Sequence, residues 1–93
     1  MIRSFADPET ERLAHSGRSR RLPPDILRRA AQRLWQLDAA TVLADLREPP
    51  SNQLEALKGD RKGQHSIRIN DQWRVCFRFA DGHAYDVEVT DYH

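Results

Sequence analysis

Long apolar runs are missing from this chain. No stretch approaches the roughly 20 apolar residues that span a bilayer, and Met1-Ile2-Arg3-Ser4-Phe5 lacks the apolar centre of a secretory signal. Cysteine is nearly absent too: Cys76 alone can neither form an internal disulfide nor anchor a zinc site. A protein of the reducing cytoplasm, without membrane association, is therefore expected. Chain length is also short. At 93 residues there is material for one hydrophobic core, so one domain over 1–93 is expected.

Lysine is scarce and arginine is not. Of 15 basic residues only Lys58 and Lys62 are lysines, and arginine is the side chain suited to bidentate contact with phosphate or carboxylate. Acids are locally missing as well. Arg18, Arg20, Arg21, Arg28, Arg29 and Arg33 have only Asp25 among them, and the basic residues from Lys58 to Arg78 have only Asp60 and Asp71. After Arg78 the sign reverses, with Asp81, Asp86, Glu88 and Asp91 and no Lys or Arg. The net charge of +1 hides this asymmetry, which points to an anionic partner, nucleic acid first. For any single arginine, a solvated surface is the plainer reading.

The spacing of apolar residues predicts helices first and strands after. Ile2–Phe5 reads as a short strand. Asp7-Pro8-Glu9 supplies a capping acid, a proline at the first helical position and an acid at the positive end of the dipole, and Gly17 stops that helix. A second helix opens at Pro23-Pro24-Asp25, with Leu27, Ala31, Leu34 and Leu37 at helical spacing. A turn or two follows from Val42 to Leu46, ended by Pro49-Pro50. Beyond Gly63 the period becomes two: Ile67 and Ile69, then Trp73, Val75, Phe77 and Phe79, then Tyr85, Val87 and Val89. Those alternations predict half-buried antiparallel strands. The class is α+β, two N-terminal helices packed on a mainly antiparallel twisted sheet.

Facing residues on paired strands share a face. Two-residue loops at Asn70–Trp73 or Ala80–His83 would set apolar against polar residues, so odd loops are expected. These pair Phe79 with Tyr85, Phe77 with Val87, Val75 with Val89 and Arg74 with Thr90. Arg68, Arg74, Arg78 and Tyr92 then share the face turned away from the helices.

The segment LEALKGDRKG stands immediately before the sheet and carries Glu55 and Lys58; DYH ends the sequence. Together, LKGDRKGQHSIRINDQWRVCFRF and the terminal Asp91-Tyr92-His93 resemble the signature half of HigB-type toxins, within the RelE/ParE superfamily of toxin–antitoxin proteins. The resemblance covers essentially the whole chain and implies the RelE-like microbial-ribonuclease fold. It also implies a ribosome-dependent endoribonuclease that cuts messenger RNA in the A site and is restrained by a helix-turn-helix, HigA-like antitoxin. It carries functional roles to Lys58, Arg74, Tyr92 and His93. At Glu55 some HigB relatives have histidine, whereas the YoeB-like branch has a glutamate that serves as base.

RNA cleavage without metal or cofactor needs a base for the 2′-OH, cations for the phosphorane and an acid for the 5′-oxygen. Arg74 and Lys58 suit the phosphorane, with Arg68 and Arg78 as outer phosphate contacts. His93 suits the acid, and Tyr92 orients the 2′-OH or stacks on a base. Glu55 is assigned as base or as the group that positions Lys58 or Arg74. Arg20, Arg21, Arg28, Arg29 and Arg33 are assigned to ribosomal RNA. Cys76 reads as a passive thiol, His65 and Trp73 as structural, and no His/Cys/Asp spacing indicates a metal. Two rivals remain open: a ParE-like gyrase inhibitor, and a non-catalytic basic module that binds RNA or a partner.

Overall fold

The computed structural model describes residues 1–91; Tyr92 and His93 lie outside the described residues. The first helix, α1 (Pro8–Ser16), starts where Asp7 accepts from the Thr10 amide at 2.7 Å and the Thr10 hydroxyl at 2.9 Å. It ends at Gly17, whose φ of 74° is a left-handed conformation that costs a side-chain-bearing residue energy. A 3₁₀ turn at Pro24–Ile26 leads into α2 (Leu27–Ala39), which buries Ala30, Ala31, Leu34 and Leu37. Two further 3₁₀ turns, Leu43–Arg47 and Pro50–Asn52, bring the chain to the sheet. No helix among the described residues is long and apolar enough to cross a membrane.

Four strands follow in chain order: β1 (Glu55–Ala56), β2 (His65–Arg68), β3 (Trp73–Ala80) and β4 (His83–Asp91), each antiparallel to its neighbour. Residues 2–5, expected as a strand, make two isolated parallel bridges to β4 instead, Ile2 to Ala84 and Phe5 to Val87. Ile67, Val75 and Val89 face one another across the sheet and join Phe77 and Val87 in packing on Leu13, Ala30, Leu34 and Leu37 of the helices. That layer excludes water from one sheet face.

The two hairpins divide on the expected register. Between β2 and β3 the loop is odd, with Arg68 opposite Arg74 and Ile67 opposite Val75. Between β3 and β4 the loop is a two-residue turn, Ala80 facing His83 across Asp81-Gly82, contrary to the odd loop expected. Asp81 (φ 53°) and Gly82 (φ 80°) both take left-handed conformations, the requirement of a tight hairpin turn. The phase error is repaired further along, where β4 spends an extra residue at Asp86 (φ 54°), a bulge between the Cys76–Glu88 and Arg78–Tyr85 pairs. Consequently Tyr85 faces Arg78, and Ala84 faces Phe79 in its place. The core side of β4 is Ala84, Val87 and Val89. Beyond the bulge the expected pairs Val75–Val89 and Arg74–Thr90 hold.

β4 is tied down close to its end. The Val89 amide donates to the fully buried Thr10 hydroxyl at 3.1 Å, and Arg21 Nη2 donates to the Val89 carbonyl at 2.9 Å. Arg21 also lies 3.5 Å from Asp7, so the helix cap, the helix connection and the last strand share one polar junction. Thr10→Val removes the hydroxyl and strands the Val89 amide. A loss of about 1–3 kcal/mol in unfolding free energy is expected by urea titration, the range for an unsatisfied buried donor; a change below ~0.5 kcal/mol contradicts the role given to this junction.

Candidate functional site

Strand alternation places two rows of side chains across the face opposite the helices. One row runs Glu55, Ser66, Cys76, Glu88, each facing the next on adjacent strands. The neighbouring row runs Arg68, Arg74, Thr90. Two guanidinium groups therefore face each other directly, an arrangement that costs stability unless other groups compensate.

Arg74 leans out of its row toward the first. Its Nη1 donates to the buried Ser66 hydroxyl at 2.8 Å and to the Gln53 carbonyl at 3.3 Å. Its Nη2 lies 3.6 Å from Glu55 Oε2. The Arg74 side chain is 14% exposed and Glu55 52%, so the guanidinium is held in a wall while the carboxylate stands at the surface. Arg68 pairs instead with Asp71, whose side chain is almost wholly exposed. Arg78 lies 3.5 Å from Asp86.

Lys58 follows buried Leu57 and is exposed; its ammonium has no hydrogen-bond or ion-pair partner among the described residues. Gly59 and Gly63, at φ of 65° and 92°, turn the segment sharply around a 3₁₀ turn at 59–61. From it Arg61 reaches Glu88 at 3.1 Å and Gln64 at 3.0 Å. Between the Arg61–Glu88 and Arg74–Glu55 pairs lies Cys76, completely buried on a face that strand parity alone would call open. Burial raises the thiol pKa, opposed by Arg61 and reinforced by Glu88. A buried, protonated thiol is a poor nucleophile.

The helical arginines divide by what they touch. Arg33 Nε donates to the Arg68 carbonyl at 2.9 Å and Arg29 Nη1 to the Ile69 carbonyl at 3.2 Å, so α2 binds the end of β2 through guanidinium groups. Burial, then Arg29 and Arg68, pull the Arg33 pKa below the usual arginine value; it remains a cation at neutral pH. Arg28 and Arg29 line a cleft of about 400 Å³ with Asp25, Ile26, Gln32 and Asn70, away from Glu55, Lys58 and Arg74. Arg20 is exposed and its amide donates to Glu9 at 2.8 Å.

Glu55 and Lys58 thus stand on or just after β1 and Arg74 on β3, with β2 between those strands and Arg68 across from Arg74. Tyr92 and His93, assigned to the same site in the sequence, lie outside the described residues; the partner of Arg74 on β4 is Thr90. Ser66, Arg61 and Glu88 were not singled out in the sequence. Ser66 and Glu88 could have been, since each has the parity of Arg68 or Thr90.

From residue 3 to residue 93 the chain matches the family described as the RelE-like toxin of the type II toxin–antitoxin system HigB. The chain belongs to the HigB family of RelE-like toxins. Among relatives, the Endoribonuclease HigB of Proteus vulgaris is 36% identical over 93 residues, covering all of both chains. Toxin HigB-1 of Vibrio cholerae serotype O1 is 40% identical over 85 residues, 90% of each chain. A chain of a YoeB–YefM complex from Staphylococcus aureus superposes with a TM-score of 0.61 at 19% identity, covering 100% of this chain and 98% of that one. At that identity the likeness is one of fold: a HigB-family α+β domain of two helices on an antiparallel sheet.

Because Cys76 lies under two ion pairs, the native protein is expected to be inert to Ellman's reagent at pH 8 for minutes. In denaturant it releases one equivalent at once. Rapid native labelling contradicts the closed face described here.

Proposed function

We propose that this HigB-family chain is an endoribonuclease that cleaves messenger RNA in the ribosomal A site, without metal, by attack of the 2′-OH on the adjacent phosphate. The observation that carries the reading is the anchored guanidinium of Arg74: Nη1 is fixed by Ser66 and Gln53, while Nη2 lies beside an exposed carboxylate. A preorganised cation of this kind stabilises charge that develops in a transition state at little reorganisation cost. An endoribonuclease among the full-length relatives supports the same chemistry.

In this mechanism Glu55 takes the 2′-OH proton, the 2′-oxygen bonds to phosphorus, and the phosphorane charge falls to Arg74 and Lys58. His93 protonates the departing 5′-oxygen, leaving a 2′,3′-cyclic phosphate and a 5′-hydroxyl end. Tyr92 orients the 2′-OH or stacks on a base. Glu55 suits the base because it is exposed and, among the described residues, held by a single 3.6 Å pair. Arg68 and Arg78 extend the positive track for flanking phosphates, although each has a carboxylate beside it.

The ribosome supplies what a domain 30 Å long cannot, an enclosed RNA site. Arg20 and Arg28, whose guanidinium groups have no partner among the described residues, are the freest to meet ribosomal RNA. Arg21, Arg29 and Arg33 have structural bonds to keep, and contribute with their remaining N–H groups. The restraining partner is a helix-turn-helix, HigA-like antitoxin, and the setting is the cytoplasm.

Expression of the wild type, Arg74→Ala and a chain lacking His93 in bacteria, followed by mapping of messenger RNA 5′ ends, tests the reading. Codon-registered 5′-hydroxyl ends are expected for the wild type and at least about 100-fold fewer for Arg74→Ala, the usual scale for losing a transition-state donor; the truncated chain falls sharply too. Intact transcripts with double-strand DNA breaks indicate a gyrase inhibitor instead, and growth arrest with neither indicates a binding module.

A further inference from the structure

The segment 57–64 carries Lys58 and, among the described residues, holds it through the backbone alone. It is closed on itself by the Leu57 amide bonding to the Gln64 carbonyl at 2.9 Å. Inside, Arg61 N to Lys58 O, Lys62 N to Gly59 O and Gln64 N to Arg61 O make it a compact turn. Such internal bonds give the loop a shape without fixing its place over the sheet. Leu57 is its one buried anchor at the start. Further out, Arg61 supplies the one side-chain ion pair from the loop to the sheet among the described residues, crossing to Glu88 on β4.

The crossing is long. Glu88 faces Cys76, which faces Ser66, which faces Glu55, so Arg61 spans from the loop beside β1 and β2 to the far strand of the row. Arg61 and Glu88 are 28% and 29% exposed, more enclosed than a surface pair, and Cys76 beneath them has no exposure. Arg61 is also bonded through its own amide to the Lys58 carbonyl at 3.3 Å. Displacing Arg61 therefore displaces the residue that supplies the loop's ammonium.

We propose that the Arg61–Glu88 ion pair is a positioning device that clamps the loop across the sheet and fixes Lys58 relative to Arg74. The proposal rests on the nuclease reading above. Neither clamp residue touches RNA: Glu88 would repel phosphate, and both guanidinium nitrogens Nη1 and Nη2 of Arg61 are engaged by Gln64 and Glu88. Positioning acts on the chemical step, because a reacting geometry loosened by an ångström loses rate while affinity stays nearly constant.

Two measurements on Glu88→Ala, Arg61→Ala, the double variant and Glu88→Gln test this. One is the labelling rate of Cys76 by Ellman's reagent under native conditions, with urea unfolding as the control for global stability. The other is single-turnover cleavage of messenger RNA on programmed ribosomes, which separates rate from ribosome affinity. Each alanine variant should speed labelling about tenfold beyond the change in global stability, and slow cleavage about tenfold at little cost in affinity. The double variant should be no worse than either single, since both break one coupled pair. Glu88→Gln, which retains an oxygen acceptor in place, should recover most of both. Unchanged labelling in the single variants overturns the clamp. Additive losses with weakened ribosome affinity for Arg61→Ala also overturn it, by making Arg61 a direct RNA contact. A wild type that cleaves nothing overturns the nuclease reading, and the catalytic role of the clamp with it, whatever the thiol reports.

Discussion

Ser66 is shut off from solvent, and its hydroxyl accepts a hydrogen bond from Arg74 at 2.8 Å. Moving that guanidinium away would leave a buried hydroxyl without its acceptor bond, at a cost of about 1–3 kcal/mol. The Gln53 carbonyl adds a second acceptor to the same nitrogen. Arg74 is thus fixed on its inner side by a hydroxyl that water cannot reach, beside an outer carboxylate. A charged side chain that faces another arginine across two strands would otherwise be expected to swing into solvent. The candidate site depends on its not doing so.

Much of the remaining architecture keeps this face in place from behind. Thr10 and Arg21 take the amide and carbonyl of Val89, one residue short of the Thr90 that faces Arg74. Arg33 and Arg29 take the carbonyls of Arg68 and Ile69 at the other end of the row. Arginine is suited to such work because one planar fork can bond a backbone carbonyl and still present further N–H groups. The arginine surplus therefore has two uses in one protein, as mortar between helix layer and sheet and as a positive surface. Sequence composition counts both uses together.

The order of elements could be read from apolar spacing because helix and strand periods are physically distinct. Asp7-Pro8 and Gly17 marked α1 for the same reason, since cap chemistry is local. The β2–β3 register and the pairs Val75–Val89 and Arg74–Thr90 also followed from alternation. The β3–β4 loop did not. Asp81-Gly82 is itself a two-residue turn signal, but with an uninterrupted ladder such a turn misaligns the core. The bulge at Asp86 lets both hold, and nothing about an aspartate flanked by Tyr85 and Val87 announces a left-handed backbone. In the site, motif resemblance brought out Glu55, Lys58 and Arg74. Ser66 and the Arg61–Glu88 pair needed three dimensions, because their meaning lies in which side chain crosses which strand.

Arg74 is a fixed object and not merely a charge, so in its proposed role its anchor matters to rate. Single-turnover cleavage of messenger RNA on programmed ribosomes by Ser66→Ala is the most direct measurement. The proposed role of Arg74 in the transition state predicts a fall in the cleavage rate of about tenfold or more with nearly unchanged ribosome affinity, since the donor is loosened without losing its charge. A Ser66→Ala protein that cleaves at the wild-type rate would contradict it.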